Sequence, residues 1–356
     1  MNHPDGTGTG TGSGSGTGAG QSPFERDIAG QADALRAYAN SAPPPELAAL
    51  ASGHYDRVIL TGMGSSHYAA LPIWRKLVAA GCPAWWTDSG QLLDSPQLIT
   101  PASLVVASSQ SGASGEVVAL LEHLQGHDRA AAIIGITNDP GSPLAERADT
   151  FIPLHSGHEA TVSTKSYLNT LAALDRLAAL ITGAPADDIW DTIKTVEAFR
   201  CPAGLAEIAT ALTSAHDARL AFVGFAEQAA TALYAGLITK EGAKIPAEGY
   251  IGGEFRHGPL ELAGPGLTAV LFAGDGSAGY SLPQLGNDLV AAGSTVLTVG
   301  GLGIAGAAEI PGPSGCASAQ LAHGAITAQY LTVALAKAKG ITPGAFSYGN
   351  KITTAL

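Results

Sequence analysis

Short apolar runs alternate with longer segments of helical periodicity along most of the chain. Buried strands are predicted in the first half by apolar, often β-branched runs at 58–60, 104–107, 132–136 and 150–154. The same rhythm returns after residue 216, with strands predicted at 220–224, 269–273 and 295–299. Short strands separated by helices are typical of a parallel sheet covered by helices on both faces. The pattern therefore predicts an α/β chain built from two similar halves.

Helical segments and composition shifts divide the chain. Helices are predicted at 24–38, 115–124, 166–182, 187–198, 228–242 and 320–339. Residues 1–22 are predicted to be a disordered tail, because glycine occupies every second position from 6 to 20. We place the remaining boundaries as follows: N-terminal helix 23–52, first domain 53–185, helical linker 186–215, second domain 216–345 and C-terminal tail 346–356.

Charge and composition exclude several classes of protein. The 356 residues carry 18 Lys and Arg against 30 Asp and Glu, a net charge of −12 that argues against a nucleic-acid partner. No apolar run of membrane-spanning length and no secretory signal are recognisable in the sequence. Three distant cysteines fit neither a disulfide framework nor a zinc site. We expect a cytoplasmic protein without a metal ion or cofactor.

Two loops rich in serine and glycine follow predicted strands of the first half. They are Thr61–Ser66 and Ser108–Ser114. Where a strand ends and a helix begins, free backbone N–H groups and the helix dipole favour an anion, and hydroxyls add donors. Neither loop has the Gly-Lys-Ser/Thr of a nucleotide-binding P-loop. The loops therefore predict a phosphate site at the rim of the sheet.

These loops belong to a wider set of motifs that resembles the SIS-domain sugar isomerases, and in particular the isomerase half of glucosamine-6-phosphate synthase. The motifs are Gly64-Ser65-Ser66, Ser109-Gln110-Ser111-Gly112, residues 157–165, Lys240-Glu241, residues 253–260 and Asn350-Lys351. The resemblance covers about residues 25–356. It implies two tandem SIS domains, each a five-stranded parallel sheet flanked by helices.

The resemblance also implies roles for individual residues. Substrate-binding hydroxyls and an amide would come from Ser65, Ser66, Ser109, Gln110, Ser111, Ser114 and Ser163. Glu241 would move a proton between C1 and C2 of the sugar. His257 would help to open the sugar ring, reaching in from a partner subunit, which implies a homodimer with shared active sites. Lys351 would engage the open-chain carbonyl, either as a Schiff base or by polarising its oxygen.

Two departures from the family pattern affect the expected reaction. No glutaminase segment precedes the isomerase-like part of this sequence, so we expect isomerisation or deamination of a hexose 6-phosphate or amino-hexose 6-phosphate. Tyr234 and Ile238 replace a glutamate and a lysine of the synthase pattern on the helix that leads to Glu241, so we expect a different surface to meet the substrate. A fructosamine-6-phosphate deglycase and a non-catalytic phosphosugar sensor remain alternatives.

Overall fold

The computed structural model of the protein describes residues 20–126, 132–274 and 281–355; most of the predicted disordered tail lies outside these ranges. The strands are β1 Arg57–Gly62, β2 Ala84–Trp86, β3 Ser103–Ser108, β4 Ala132–Thr137, β5 Thr150–Pro153, β6 Arg219–Gly224, β7 Ala247–Ile251, β8 Leu267–Phe272, β9 Thr295–Val299 and β10 Ala308–Ile310. The helices are α1 Pro23–Ala29, α2 Gln31–Ala39, α3 Leu47–Ala51, α4 Gly64–Ala69, α5 Leu71–Ala79, α6 Ser89–Asp94, α7 Gly115–Gly126, α8 Pro143–Arg147, α9 Lys165–Thr182, α10 Ile189–Ala198, α11 Leu205–Ser214, α12 Gln228–Ala243, α13 Ser281–Ala291 and α14 Ala317–Ala338.

The strands form two parallel sheets with the same topology. The first sheet has the order β2-β1-β3-β4-β5, and the second has the order β10-β9-β8-β6-β7. Read from the other edge, the second order becomes β7-β6-β8-β9-β10, so each strand corresponds to the strand five earlier in the chain. Neighbouring strands pair in parallel throughout both sheets. The prediction of two α/β halves, each with a five-stranded parallel sheet, is confirmed.

The central strands are buried on both faces, as parallel strands between helical layers must be. Every residue of β3, β4 and β8 is buried. The edge strands β7 and β10, in contrast, were absent from the predicted set. Their sequences, Ala-Glu-Gly-Tyr-Ile and Ala-Glu-Ile, lack the continuous apolar run that identified the central strands.

The predicted helix at 24–38 is two helices instead of one. Gly30 ends α1, since its N–H bonds the carbonyl of Arg26, and the same residue is the N-cap of α2. Ser22 and Glu25 form a capping box that begins α1. The apolar spacing of the segment continues across Gly30, which is why periodicity alone predicted a single helix.

Helix α12 of the second half is held close to its own sheet and also reaches the first half. A side chain at Gly236 would come within 2.7 Å of the backbone nitrogen of Gly249 on β7, so glycine is required for this approach. Leu237, the next residue of α12, faces the turn that begins α4 in the first half, since a side chain added at Gly64 would come within 3.5 Å of its Cδ2 atom. This packing carries the C-terminal end of α12 to the rim of the first sheet.

Candidate active site

The loop after β3 presents several hydroxyl groups at the rim of the first sheet. Ser109 and Ser114 share a hydrogen bond of 3.0 Å between their hydroxyls, and the Ser111 hydroxyl accepts the N–H of Ala113. Gly112 has a φ of +64°, and a side chain there would come within 2.0 Å of the Ser142 hydroxyl. The loop therefore needs glycine at this position to turn its serines towards the start of α7.

The loop after β1 lies beside it. Gly64 has a φ of +52° and begins α4, and Ser65 and Ser66 lie in the first turn of that helix. Because β1 and β3 pair directly, their following loops meet at one edge of the sheet. Two hydroxyl-bearing loops thus share one rim, as the sequence predicts.

Two segments from the second half of the chain complete this rim. Helix α12 brings Leu237 and Glu241, which are four residues apart and so lie on one face of the helix. The C-terminal segment crosses to the first half, where the carbonyl of Thr353 accepts the N–H of Gly115. Lys351 is in the same segment and donates a hydrogen bond of 2.6 Å to Glu159.

Together these elements enclose a cavity of about 240 Å³. Its lining residues are Met63, Gly64, Ser65, Ser66, Ser109, Gln110, Ser111, Ser114, Glu116, Ser163, Leu237, Glu241, Lys351, Ile352 and Thr353. Nine of the ten predicted site residues are among them. The cavity places a carboxylate and an ammonium group opposite a set of hydroxyl donors.

His257 is the predicted site residue that lies elsewhere. It follows the short 3-10 turn Gly252–Arg256, is exposed, and is not among the cavity's lining residues. The turn is braced by Glu254, whose carboxylate accepts the N–H of Ile251 and whose carbonyl accepts the N–H of His257. Within one chain, therefore, His257 does not reach the cavity.

The two carboxylates nearest Lys351 have opposite electrostatic environments. Burial raises the pKa of Glu241 above its ordinary value, although Lys351, Lys244 and Lys240 partly oppose this shift. Burial alone would also raise the pKa of Glu159, but the Lys351 ammonium and hydrogen bonds from Ser166 and Thr164 hold it below its ordinary value. Glu241 is therefore the carboxylate that can exchange a proton nearer neutral pH.

The two replaced positions on α12 do not meet the cavity. Tyr234 and Ile238 are both 0% exposed and neither lines it, so these two side chains do not themselves form the surface that faces the cavity. Tyr234 acts from behind the site, because its hydroxyl donates to the carbonyl of Ser163 at 2.6 Å and accepts from Gln329 at 2.9 Å. Ile238 packs in the core.

Some lining residues were not predicted from the sequence. Glu116 lies in the first turn of α7, where an acidic residue is equally expected as a helix-stabilising charge. Leu237 could have been found, since it is one helical turn before Glu241. Glu159, the partner of Lys351, lies in the 157–165 motif, but its pairing with Lys351 could not be found from the sequence because the two residues are 192 positions apart.

Neither a metal site nor a membrane-spanning helix is found in the part of the chain that the structure describes. Within residues 20–126, 132–274 and 281–355, no three His, Cys, Asp or Glu residues group in a way that would hold a metal ion. Over the same ranges, every helix is too short or too polar to traverse a lipid bilayer.

Two parallel sheets, with a hydroxyl-lined cavity at the carboxyl ends of the strands of the first, define an α/β protein whose candidate ligand site lies where open parallel sheets bind ligands. Residues 54–180 match the model of the SIS domain family. That segment therefore belongs to the SIS family, and the chain as a whole has the fold of two tandem SIS domains.

Individual relatives agree with this assignment. The glutamine–fructose-6-phosphate aminotransferase (isomerizing) of Pyrococcus horikoshii is 29% identical over 275 residues, which is 74% of this chain and 45% of the relative. The protein of the same name from Symbiobacterium thermophilum is 31% identical over 229 residues, 60% of this chain and 37% of the relative. The chain thus spans less than half the length of these curated relatives.

Solved structures with the same fold include the C-terminal domain of glucosamine-fructose-6-phosphate aminotransferase from Francisella tularensis, with a TM-score of 0.77 at 18% identity. The match covers 90% of this chain and 97% of that one. Tagatose-6-phosphate ketose/aldose isomerase from Escherichia coli matches with a TM-score of 0.73 at 19% identity, over 90% and 94% of the two chains. At these identities the likeness establishes the fold.

Proposed function

We propose that the protein is a cytoplasmic phosphosugar isomerase or deaminase that transfers a proton between C1 and C2 of a hexose 6-phosphate or amino-hexose 6-phosphate. The observation that carries this proposal is the position of Glu241, which lines the same cavity as the hydroxyl-rich loop Ser109–Ser114. The names of the relatives point to substrates of the fructose 6-phosphate and glucosamine 6-phosphate type.

In the proposed complex the phosphate group lies against the loop after β3. Ser109, Gln110, Ser111 and Ser114 would donate to its oxygens, and the positive end of α7 would add to the attraction. Hydroxyl and amide donors at a helix N-terminus can hold a phosphate monoester without a direct cation. Ser65, Ser66 and Ser163 would take the remaining phosphate oxygens or the sugar hydroxyls.

Glu241 would then act as the base that removes the proton from one carbon and returns it to the next. A carboxylate suits this step when its pKa is moved towards neutrality, since it must both accept and release the proton. The raised pKa of Glu241, caused by burial, fits that role. Lys351 would face the carbonyl or amine end of the open-chain sugar.

We propose that His257 from a second copy of the chain assists ring opening, and therefore that the protein is a homodimer with shared active sites. His257 is exposed and lies outside its own chain's cavity, which leaves it accessible to a neighbouring subunit. Mixing Glu241→Gln chains with His257→Ala chains tests this arrangement. Recovery of activity in the mixture is expected; a mixture as inactive as its components would contradict shared sites.

The reaction is tested by incubating the protein with fructose 6-phosphate, glucosamine 6-phosphate and a fructosamine 6-phosphate. Ketose–aldose exchange or ammonia release supports the proposed isomerase or deaminase. Release of an intact amine from the third compound would instead identify a deglycase. Tight binding without turnover of any of the three would identify a sensor, and both of these outcomes overturn the proposal.

A further inference from the structure

Glu159 is a fully buried carboxylate next to the cavity. Its side chain is 0% exposed. Its Oε1 accepts the N–H and hydroxyl of Thr164, at 2.7 and 3.0 Å, and the N–H of Ser166 at 3.1 Å. Its Oε2 accepts the Ser166 hydroxyl and the Lys351 ammonium, each at 2.6 Å. Five donors and no acceptor surround the group, so it is held in its ionised form.

The local chain is arranged around this charge. Thr164 is the N-cap of α9 and Ser166 lies in its first turn, so both N–H groups are among those that the helix leaves unsatisfied. The Glu159 carboxylate satisfies them and lies at the positive end of α9. Four of its five hydrogen bonds therefore come from residues within seven positions along the chain. These four bonds orient the carboxylate independently of Lys351.

Lys351 contributes the fifth hydrogen bond from the other end of the chain. Its side chain is 21% exposed, and the residue lines the cavity together with Glu241. In the described part of the chain, its hydrogen bond goes to Glu159 and not to Glu241. The Glu241 carboxylate therefore forms no ion pair with Lys351, whose ammonium group is held by Glu159 instead.

We propose that Glu159 is a positioning residue that holds the Lys351 ammonium at the wall of the cavity. The placement stands on the contacts above; its effect on turnover rests on the proposed function. Held in this way, Lys351 acts as a charged hydrogen-bond donor to the sugar carbonyl. The arrangement favours this role over a Schiff base, because the nitrogen would have to leave the ion pair with Glu159 before it could attack a carbonyl.

A second ion pair on the same loop provides a matched control. Lys165 pairs with Asp27 at 2.8 Å, with side chains 13% and 9% exposed, and Asp27 also accepts the N–H of Ala160. Neither Lys165 nor Asp27 lines the cavity. Asp27→Asn therefore removes a buried carboxylate from the same region without touching the proposed site.

The placement is tested without any substrate, by competitive labelling of lysines with an amine-reactive anhydride at pH 8 and peptide mass spectrometry. In Glu159→Gln, the Lys351 ammonium loses its charged partner and its side chain is freed. We expect Lys351 to label about tenfold faster because the buried ion pair no longer holds it, while Lys165 is unchanged. Asp27→Asn should give the reverse pattern.

Equal labelling of Lys351 in wild type and Glu159→Gln overturns the proposal, as does faster labelling of Lys351 in Asp27→Asn. Urea-denatured protein supplies the upper limit of labelling, so an unfolded variant is recognised by all its lysines reaching that limit. If Glu159→Gln is unfolded by this criterion, Glu159→Asp is measured in its place. This variant keeps the charge but withdraws it from Lys351, and its Lys351 labelling should lie between wild type and the denatured limit; the wild-type rate would contradict the proposal.

The role in turnover is tested by kinetics. We expect Glu159→Gln to lower kcat with little change in KM and to have no further effect in a Lys351→Met background. A further loss of kcat when Glu159→Gln is added to Lys351→Met overturns the role in turnover. If wild type itself turns over no phosphosugar, the proposed function fails while the labelling result still decides the placement.

Discussion

The two halves of the molecule share a strand order but differ at the rims of their sheets. The first-half cavity combines serine hydroxyls with Glu241 and Lys351. The second half has a cavity of about 260 Å³ at the ends of β8 and β9, lined by Gln228, Ala273, Gly274, Val299, Gly300, Gly301, Leu302, Gly312, Pro313, Gln320 and His323. None of these described lining residues is Asp, Glu, Lys or Arg. A repeated fold has therefore not repeated its chemistry.

The difference is greater than a substitution of loop residues. Burial lowers the pKa of His323, so the second cavity has a neutral imidazole where the first has an ammonium group. Moreover, the second half supplies Glu241 and Lys351 to the first-half cavity through α12 and the C-terminal segment. Under the proposed function, the first half would supply the binding loops and the second half the reactive groups.

The largest expected effect is that of Glu241→Gln. Loss of the proposed base should lower kcat roughly 10²- to 10⁴-fold while the dissociation constant for phosphosugar changes little. Steady-state kinetics and calorimetry measure the two quantities. In wild type, kcat/KM should rise with pH through a pKa above the ordinary 4.5 of glutamate, because Glu241 must ionise to act as a base. That acid limb should disappear in the variant.

Two controls sharpen this prediction. Glu248→Gln makes the same chemical change on β7 at an exposed position that pairs with Lys240, and it should leave kcat unchanged. Gln228→Leu alters the second cavity and should also leave kcat unchanged. A comparable loss from Gln228→Leu would show that the two cavities do not differ in the way proposed.

Paired glycine substitutions come next in size. Gly112→Ala puts a side chain at a φ of +64°, against Ser142, and Gly300→Ala puts one at +109°, 2.7 Å from the Ala273 side chain. Each should lower the free energy of unfolding by roughly 2–4 kcal/mol, measured by urea denaturation. Only Gly112→Ala should also weaken phosphosugar binding, because it displaces the serine loop.

Gly157→Ala is the matched control for strain alone. Its φ is +65°, but nothing lies within 4 Å of the added side chain. We expect a loss of about 1 kcal/mol from the left-handed backbone. Equal weakening of phosphosugar binding by Gly112→Ala and Gly300→Ala would contradict the assignment of binding to the first half.

Ser109→Ala should have a smaller effect, confined to binding. Removing one hydroxyl donor to a charged phosphate is expected to weaken binding roughly 10- to 100-fold. The same change should leave the affinity for the unphosphorylated sugar unaltered, which calorimetry with both compounds measures. Equal losses for the two sugars would place Ser109 on the sugar and not on the phosphate.

The smallest effect is expected from Tyr234→Phe, behind the site. It removes the hydrogen bonds to the Ser163 carbonyl and from Gln329, so the free energy of unfolding should fall by about 1–2 kcal/mol. Tyr167 stacks on Tyr234 at 3.8 Å, and within the described chain its hydroxyl has no partner. Tyr167→Phe should therefore be neutral or stabilising, and a loss equal to that of Tyr234→Phe would contradict this account.

The features that were predicted from the sequence are those that depend on a local pattern of residues. Continuous apolar runs identified β3, β4 and β8, and the serine loops followed from their place after a strand. Contacts between distant segments could not be found in this way. Tyr234 and Ile238 were placed near the Glu241 face because helical periodicity gives an angular position but not what packs against it, and both are buried. Glu159 lies in a motif that the sequence did single out, but its pairing with Lys351 joins residues 192 positions apart.

The crossing of α12 and the C-terminal segment onto the first sheet has a consequence for gene fission and truncation. A fragment limited to residues 54–180, the part that matches the family model, would retain the serine loops after β1 and β3 together with Ser163 and Glu159. It would lack both Glu241 and Lys351. Such a fragment would at most bind sugar phosphates weakly. The two halves must therefore be inherited together if the binding loops and the proposed reactive groups are to act on the same substrate.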